Sequence, residues 1–131
     1  MALSNGVAVY VFGNPDLQED SLPIQLIPPL RKKFPHVGFI VKDPNEEWDV
    51  PEHLIAIDTA VGIDRVQEFH SLEQFHTSPR VSMHDFDALA QLRLLQKLGK
   101  LKKITIVGVP PNIPPDTALE QIAAALERIV E

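Results

Sequence analysis

The chain has 131 residues, of which 44% are apolar and 23% charged, and its formal net charge is −6. This size and composition are typical of one soluble globular domain spanning 1–131, and the negative charge argues against a nucleic-acid partner, whose phosphates require a basic face. The absence of cysteine excludes disulfides, thiolate metal sites, iron–sulfur ligation and cysteine nucleophiles.

Five segments have the pattern of β-strands. Apolar runs bounded by turn signals predict four buried strands, at 7–12, 37–41, 53–58 and 103–109. Polar and apolar residues alternate over 65–70, which predicts a half-exposed edge strand and a candidate for antiparallel pairing.

Two helices are predicted between these strands. Apolar residues recur at helical spacing over 22–34, where Pro28-Pro29 removes two amide donors and predicts a kink or a split. Ser82 and Asp85 resemble a capping box, which predicts a long helix that opens there and stops at Gly99.

A third helix is predicted at the end of the chain, where Thr117 and Glu120 resemble a second capping box ahead of one apolar stripe. Strands therefore alternate with helices, which favours an α/β fold. We expect a three-layer α/β/α domain with right-handed crossovers and a mostly parallel, twisted sheet of about five strands.

Three polar residues, Asp20, Asp58 and His84, follow a predicted strand or stand at the start of a predicted helix. Because ligands bind outside the carboxyl ends of strands in such sheets, we hypothesise that these residues converge on one rim. Two carboxylates and one imidazole would form an incomplete coordination sphere for a divalent first-row metal, with positions left for substrate or water. A helix N-terminus would keep the imidazole neutral.

Each of these residues also has a purely structural interpretation. Asp20 suits a helix N-cap, Asp58 an Asx-turn at the end of a strand, and His84 an exposed position in a first helical turn. Taken singly, these structural roles are commoner than metal binding. The chain lacks the repeated glycines of a dinucleotide or phosphate loop and a Gly-x-Ser-x-Gly elbow, which disfavours nucleotide binding.

The order of the motifs resembles that of the hydrogenase maturation endopeptidases. Gly13-Asn14, followed by the acidic pair Glu19-Asp20 and a helix, is similar to the motif that opens the family's sequences. The apolar strand ending in Asp58 is similar to the second landmark. Ser82-Met83-His84, with the later strand end Gly108-Val109, is similar to the third, so the resemblance covers nearly the whole chain.

This resemblance implies a nickel-dependent endopeptidase that trims the C-terminal extension of a nickel–iron hydrogenase large-subunit precursor after nickel insertion. Asp20, Asp58 and His84 are then the residues that contact nickel, which the precursor supplies, and other divalent metals can occupy such a site. Asp20 and Asp58 are the implied catalytic residues of an aspartyl-type peptidase. A metal-polarised carbonyl, a metal-activated water or a carboxylate base would each fit.

Two other functions remain open. A non-catalytic accessory or binding module of the same fold in hydrogenase assembly is suggested by Pro23, which stands where family members usually carry glycine, and by short loops. An unrelated metal-dependent hydrolase of a small molecule would instead need a large closed pocket.

The N-terminal residues 1–5 carry no basic segment, and no apolar run approaches the ~20 residues that span a bilayer. We therefore expect a cytoplasmic protein with no membrane partner. The sequence does not define an oligomeric state, and we favour a monomer.

Overall fold

The computed structural model describes residues 7–12, 21–42, 51–60, 62–71 and 92–130. The elements in chain order are β1 (Val7–Phe12), α1 (Leu22–Gln25), α2 (Ile27–Lys33), β2 (Val37–Lys42), β3 (His53–Thr59), β4 (Gln67–Phe69), α3 (helical residues 92–97), β5 (Lys103–Val109) and α4 (Pro115–Val130).

The described strands form one five-stranded sheet in the order β2-β1-β3-β5-β4. β1 pairs in parallel with β2 and β3, β3 pairs in parallel with β5, and β4 pairs antiparallel with β5 at one edge. The predicted α/β class, the mostly parallel sheet and the antiparallel edge strand are confirmed. The strand order changes direction between β1 and β3, because the chain runs from β1 outward to β2 and then returns to the other side of β1.

Alternate residues of each strand point to opposite sides of the sheet, and helices cover both of these faces. One apolar cluster packs α1, α2 and α4 on the first face, and its fully buried residues include Val9, Val11, Leu30, Ile57, Val107, Ile122 and Leu126. A second cluster packs α3 on the other face, with Leu54, Ala56, Leu92, Ile104 and Ile106. The predicted three-layer arrangement is therefore present. Among the described helices, none combines the length and apolar character required to cross a bilayer.

The predicted interruption of the first helix is confirmed at Leu26, the residue between α1 and α2. Pro28 and Pro29 fall in the first turn of α2, where backbone N–H groups have no helical acceptor, so their missing donors cost no hydrogen bond. Ser21 occupies the N-cap position of α1 but makes no capping bond. Its hydroxyl accepts instead from Nε2 of Gln25 at 2.8 Å.

Gly99 ends the helix that contains α3, as predicted, with a left-handed backbone at φ 76°. The N–H of Gly99 donates to the carbonyl of Gln96 at 3.0 Å, and that of Lys100 donates to Leu95 at 2.9 Å. These two bonds form a Schellman motif, whose left-handed position favours glycine. The predicted start of this helix at Ser82 lies outside the described residues.

The last helix begins earlier than its predicted capping box. α4 starts at Pro115, and the N–H of Ala118 donates to the carbonyl of Pro114 at 2.9 Å. Thr117 therefore lies inside the first turn, and the prediction that it caps the helix is wrong. Proline favours this start because its fixed φ is already helical and its missing N–H is not needed in the first turn. The predicted apolar stripe is confirmed, with Ile122, Ala123 and Leu126 buried.

Side-chain contacts hold the region of β4 against α4. The N–H of Val66 donates to Oε1 of Gln121 at 2.9 Å. Arg128 donates to Oε2 of Glu68 from Nε, at 3.1 Å, and from Nη2. The short antiparallel strand is thus fixed to the helix that follows β5.

His53, the first residue of β3, stands directly opposite Lys103 of β5. The His53 side chain is exposed, but its partial desolvation by neighbouring atoms and, second, the charge of Lys103 lower its pKa below the ordinary 6.5. As the pH falls through 6.5, the unfolded chain binds a proton more readily than the folded chain, so the folded state loses stability until the lower folded pKa is passed. Above that range the histidine is neutral in both states and contributes nothing to the pH dependence of stability.

We therefore expect His53→Gln to reduce the drop in Tm between about pH 7 and about pH 5, measured by thermal unfolding. An identical pH dependence in wild type and His53→Gln would show that folding does not lower the pKa of His53.

Candidate functional site

The carboxyl ends of β1 and β3 form the candidate site. In open α/β sheets, ligands bind where the strand order changes direction, and this change falls between these two strands. Val11 pairs with Ile57, and β1 then ends at Phe12. β3 continues through Asp58 and Thr59, so these two residues stand at the edge of the crevice.

Asp58 is buried at this edge, with 5% of its surface exposed. Its Oδ1 accepts the backbone N–H of Thr59 at 2.8 Å. An Asx-turn would use the N–H two residues on, but the N–H of Ala60 donates to the carbonyl of Val109 at 2.9 Å. Burial of a carboxylate is costly unless hydrogen bonds, an opposite charge or a metal compensate it. The position therefore suits a metal ligand or a general base.

Gly108 of β5 stands directly opposite Asp58. A Cβ atom at this position would lie 2.7 Å from Cε2 of Phe69 and 3.1 Å from Cβ of Ala60. The glycine thus allows the buried ring of Phe69 to close over β5 at the residue that pairs with Asp58.

Of the three predicted ligands, the structure places Asp58 alone. Asp20 and His84 lie outside the described residues, so their convergence with Asp58 remains a prediction. Within the described ranges, no group of three acidic or histidine side chains is arranged to hold a metal ion. The structure nevertheless describes the helix that follows each of them in the chain: Asp20 directly precedes Ser21 at the start of α1, and His84 precedes α3.

α3 lies on the face of the sheet to which Asp58 belongs. Leu92 and Leu95 pack with Leu54 and Ala56, and residues 54, 56 and 58 of β3 all point to the same side because alternate strand residues share a face. The chain after α3 reaches the amino ends of β3 and β5, where the N–H groups of residues 102 and 103 both donate to the carbonyl of residue 52, at 2.8 and 2.9 Å. α3 therefore runs from the carboxyl side of the sheet toward its amino side.

Two features of the site were not recognised as functional from the sequence. The close approach of Phe69 to Gly108 was signalled only by a glycine inside an apolar strand, a pattern that indicates close backbone approach. The burial of the Thr59 hydroxyl had no sequence signal, because threonine is common in strands on either face.

No protein-family model and no curated protein matches this chain. Solved structures do match it over almost its full length. The hydrogenase maturating endopeptidase HybD from E. coli has a TM-score of 0.67 at 20% identity, covering 94% of this chain and 93% of that chain. The NiFe hydrogenase maturation protease HybD from Thermococcus kodakarensis has a TM-score of 0.65 at 17% identity, covering 95% and 99%. The solution structure of an endopeptidase from Escherichia coli has a TM-score of 0.63 at 20% identity, covering 94% of each chain.

Proposed function

From the premise that this chain has the fold of hydrogenase maturation endopeptidases, we propose that it removes the C-terminal extension of a nickel–iron hydrogenase large-subunit precursor. The observation that carries the proposal is the buried carboxylate of Asp58 at the carboxyl edge between β1 and β3. Nickel already inserted in the precursor is the recognition element, and Asp20, Asp58 and His84 contact it.

The path of the chain supports this assignment. β1 ends beside Asp58 and the described chain resumes at Ser21, so Asp20 belongs to the connection that leaves the carboxyl end of β1. α3 runs toward the amino side of the sheet on the face of Asp58. A helix extended back to Ser82, as the sequence predicts, would carry His84 about 12 Å toward the carboxyl edge, at 1.5 Å per residue.

The proposed ligand set explains why cleavage would wait for nickel. Two carboxylates and a neutral imidazole leave coordination positions for the scissile carbonyl or for water. Without nickel, the carboxylates lack the cation that draws the precursor's C-terminus into the site. Once nickel is present, Asp20 or Asp58 acts as the base toward water, or the metal polarises the carbonyl.

The experiment that tests this function is intact mass measurement of a large-subunit precursor from the same genome after incubation with the protein. We expect loss of a C-terminal peptide from the nickel-loaded precursor, and an unchanged mass for precursor without nickel or with magnesium in its place. An unchanged mass for a nickel-loaded precursor that another maturation peptidase processes would exclude the peptidase function for this partner.

A binding module of the same fold is the second candidate, because Pro23 replaces the glycine usual in the family. Pro23 is buried in the first turn of α1, where proline is compatible with a helix, so the fold accommodates the substitution. Binding of the nickel-loaded precursor without a change in its mass would favour this second function over the first.

A further inference from the structure

Thr59 carries a buried hydroxyl whose oxygen has no hydrogen-bond partner, the single side-chain atom of this kind in the described part of the chain. The residue is 2% exposed. Buried polar side-chain atoms are nearly always paired in native proteins, because an unpaired one destabilises the fold. Valine has almost the same shape and would avoid this penalty. The hydroxyl is therefore best explained by a state in which it is paired.

The position of this hydroxyl coincides with the candidate site. Thr59 is the last residue of β3 and extends one residue past the level at which β1 ends. On its other side it pairs with Val109, the last residue of β5. Thr59 thus stands at the carboxyl edge where the strand order changes direction, which is the ligand-binding position of such sheets.

Thr59 is also coupled directly to the candidate ligand that precedes it. Its backbone N–H donates to Oδ1 of Asp58 at 2.8 Å, so the two residues share a peptide unit and a hydrogen bond. Their side chains point to opposite faces of the sheet, and the hydroxyl therefore does not compete with the carboxylate for one ligand. A carboxylate that turns toward a metal must either carry this peptide unit with it or give up the hydrogen bond from Thr59.

We propose that Thr59 is a positioning residue of the substrate-loaded site. Its hydroxyl lacks a partner in the free protein and gains one when Asp58 engages the nickel-loaded precursor and the shared peptide unit shifts. A group that is unpaired in one state and paired in another favours the second state by the difference in its interactions. This proposal rests on the proposed function and adds to it a residue that favours the loaded state.

The test compares Thr59→Val, Thr59→Ser and a control, Thr105→Val, which alters another buried threonine of the sheet away from its carboxyl edge. We expect Thr59→Val to raise the Tm of the free protein by about 4 °C, because the unpaired hydroxyl is removed. The same variant should raise the precursor KM roughly tenfold, the effect of one lost hydrogen bond, while kcat stays within about twofold. Thr59→Ser, which keeps the hydroxyl, should have the wild-type KM, and so should Thr105→Val.

A lower Tm for Thr59→Val would show that the hydroxyl is already paired in the free protein, and it would overturn the proposal. An unchanged KM for Thr59→Val would do the same while leaving the peptidase function intact, because the wild type still cleaves. If the wild type binds the loaded precursor without cleaving it, the peptidase function fails but the proposal for Thr59 can still be tested. The same variants are then compared by their Kd for the loaded precursor. Absence of both binding and cleavage by the wild type would overturn both proposals.

Discussion

Asp58→Asn is expected to reduce nickel-dependent processing of the precursor by about a thousandfold, the scale of losing one group that stabilises charge at a reacting centre. The amide retains the volume of the carboxylate and an oxygen that can accept the N–H of Thr59, now at 2.8 Å. It loses the negative charge that a metal or a proton requires. Initial rates from intact mass measurements, with Tm recorded for each protein, separate this chemical loss from unfolding.

Asp64→Asn is the matched control for this substitution. It removes the same charge from an exposed position in the connection that follows β3, so processing should remain at the wild-type rate. A folded Asp58→Asn protein that still processes the precursor within about tenfold of the wild-type rate would contradict the role given to Asp58.

The same assay tests the predicted convergence of ligands. If Asp20 and His84 contact the same nickel as Asp58, then Asp20→Asn and His84→Ala should each reduce processing on a similar scale, and combining either with Asp58→Asn should add little. Residues that act as one unit show this non-additivity. Normal processing by either single variant would exclude that residue from the site.

Gly108→Ala is expected to destabilise the folded protein by about 2 kcal/mol, within the range for overpacking a well-packed interior. The new methyl group would lie 2.7 Å from Cε2 of Phe69, which is buried and has little room to retreat. Urea unfolding of the variant measures this loss. Gly38→Ala in β2 is the control, because its nearest neighbour is the carbonyl oxygen of Val7 at 3.9 Å, and its stability should equal or slightly exceed that of the wild type.

A double-mutant cycle with Phe69→Leu identifies the atoms responsible. Removing the ring relieves the contact at Gly108, so the double variant should be more stable than the sum of the two single changes by about 1 kcal/mol. Strict additivity would show that the cost of Gly108→Ala arises elsewhere, for example at Ala60, whose Cβ would lie 3.1 Å from the new methyl group.

Local patterns in the sequence predicted the elements of this fold. Local signals act through the backbone geometry of neighbouring residues, as do the apolar runs, the Pro28-Pro29 pair and Gly99. Their structural consequences could therefore be predicted without knowledge of the rest of the chain. The start of α4 was predicted incorrectly because two local signals compete there, and Pro115 prevails over Thr117. The prediction that Asp58 closes a buried strand also depended on local pattern alone, and the structure places it near the end of β3.

The tertiary structure alone decided which residues meet. The strand order sets the crevice between β1 and β3, and no local pattern encodes that order. The proximity of Gly108 to Phe69 and the burial of an unpaired hydroxyl at Thr59 both depend on strands that are distant in sequence. Sequence by itself thus determined the elements and an acid at a strand end, because these follow from neighbouring residues. Packing between distant segments determined what surrounds that acid, because burial and hydrogen-bond partners exist only once the chain has folded.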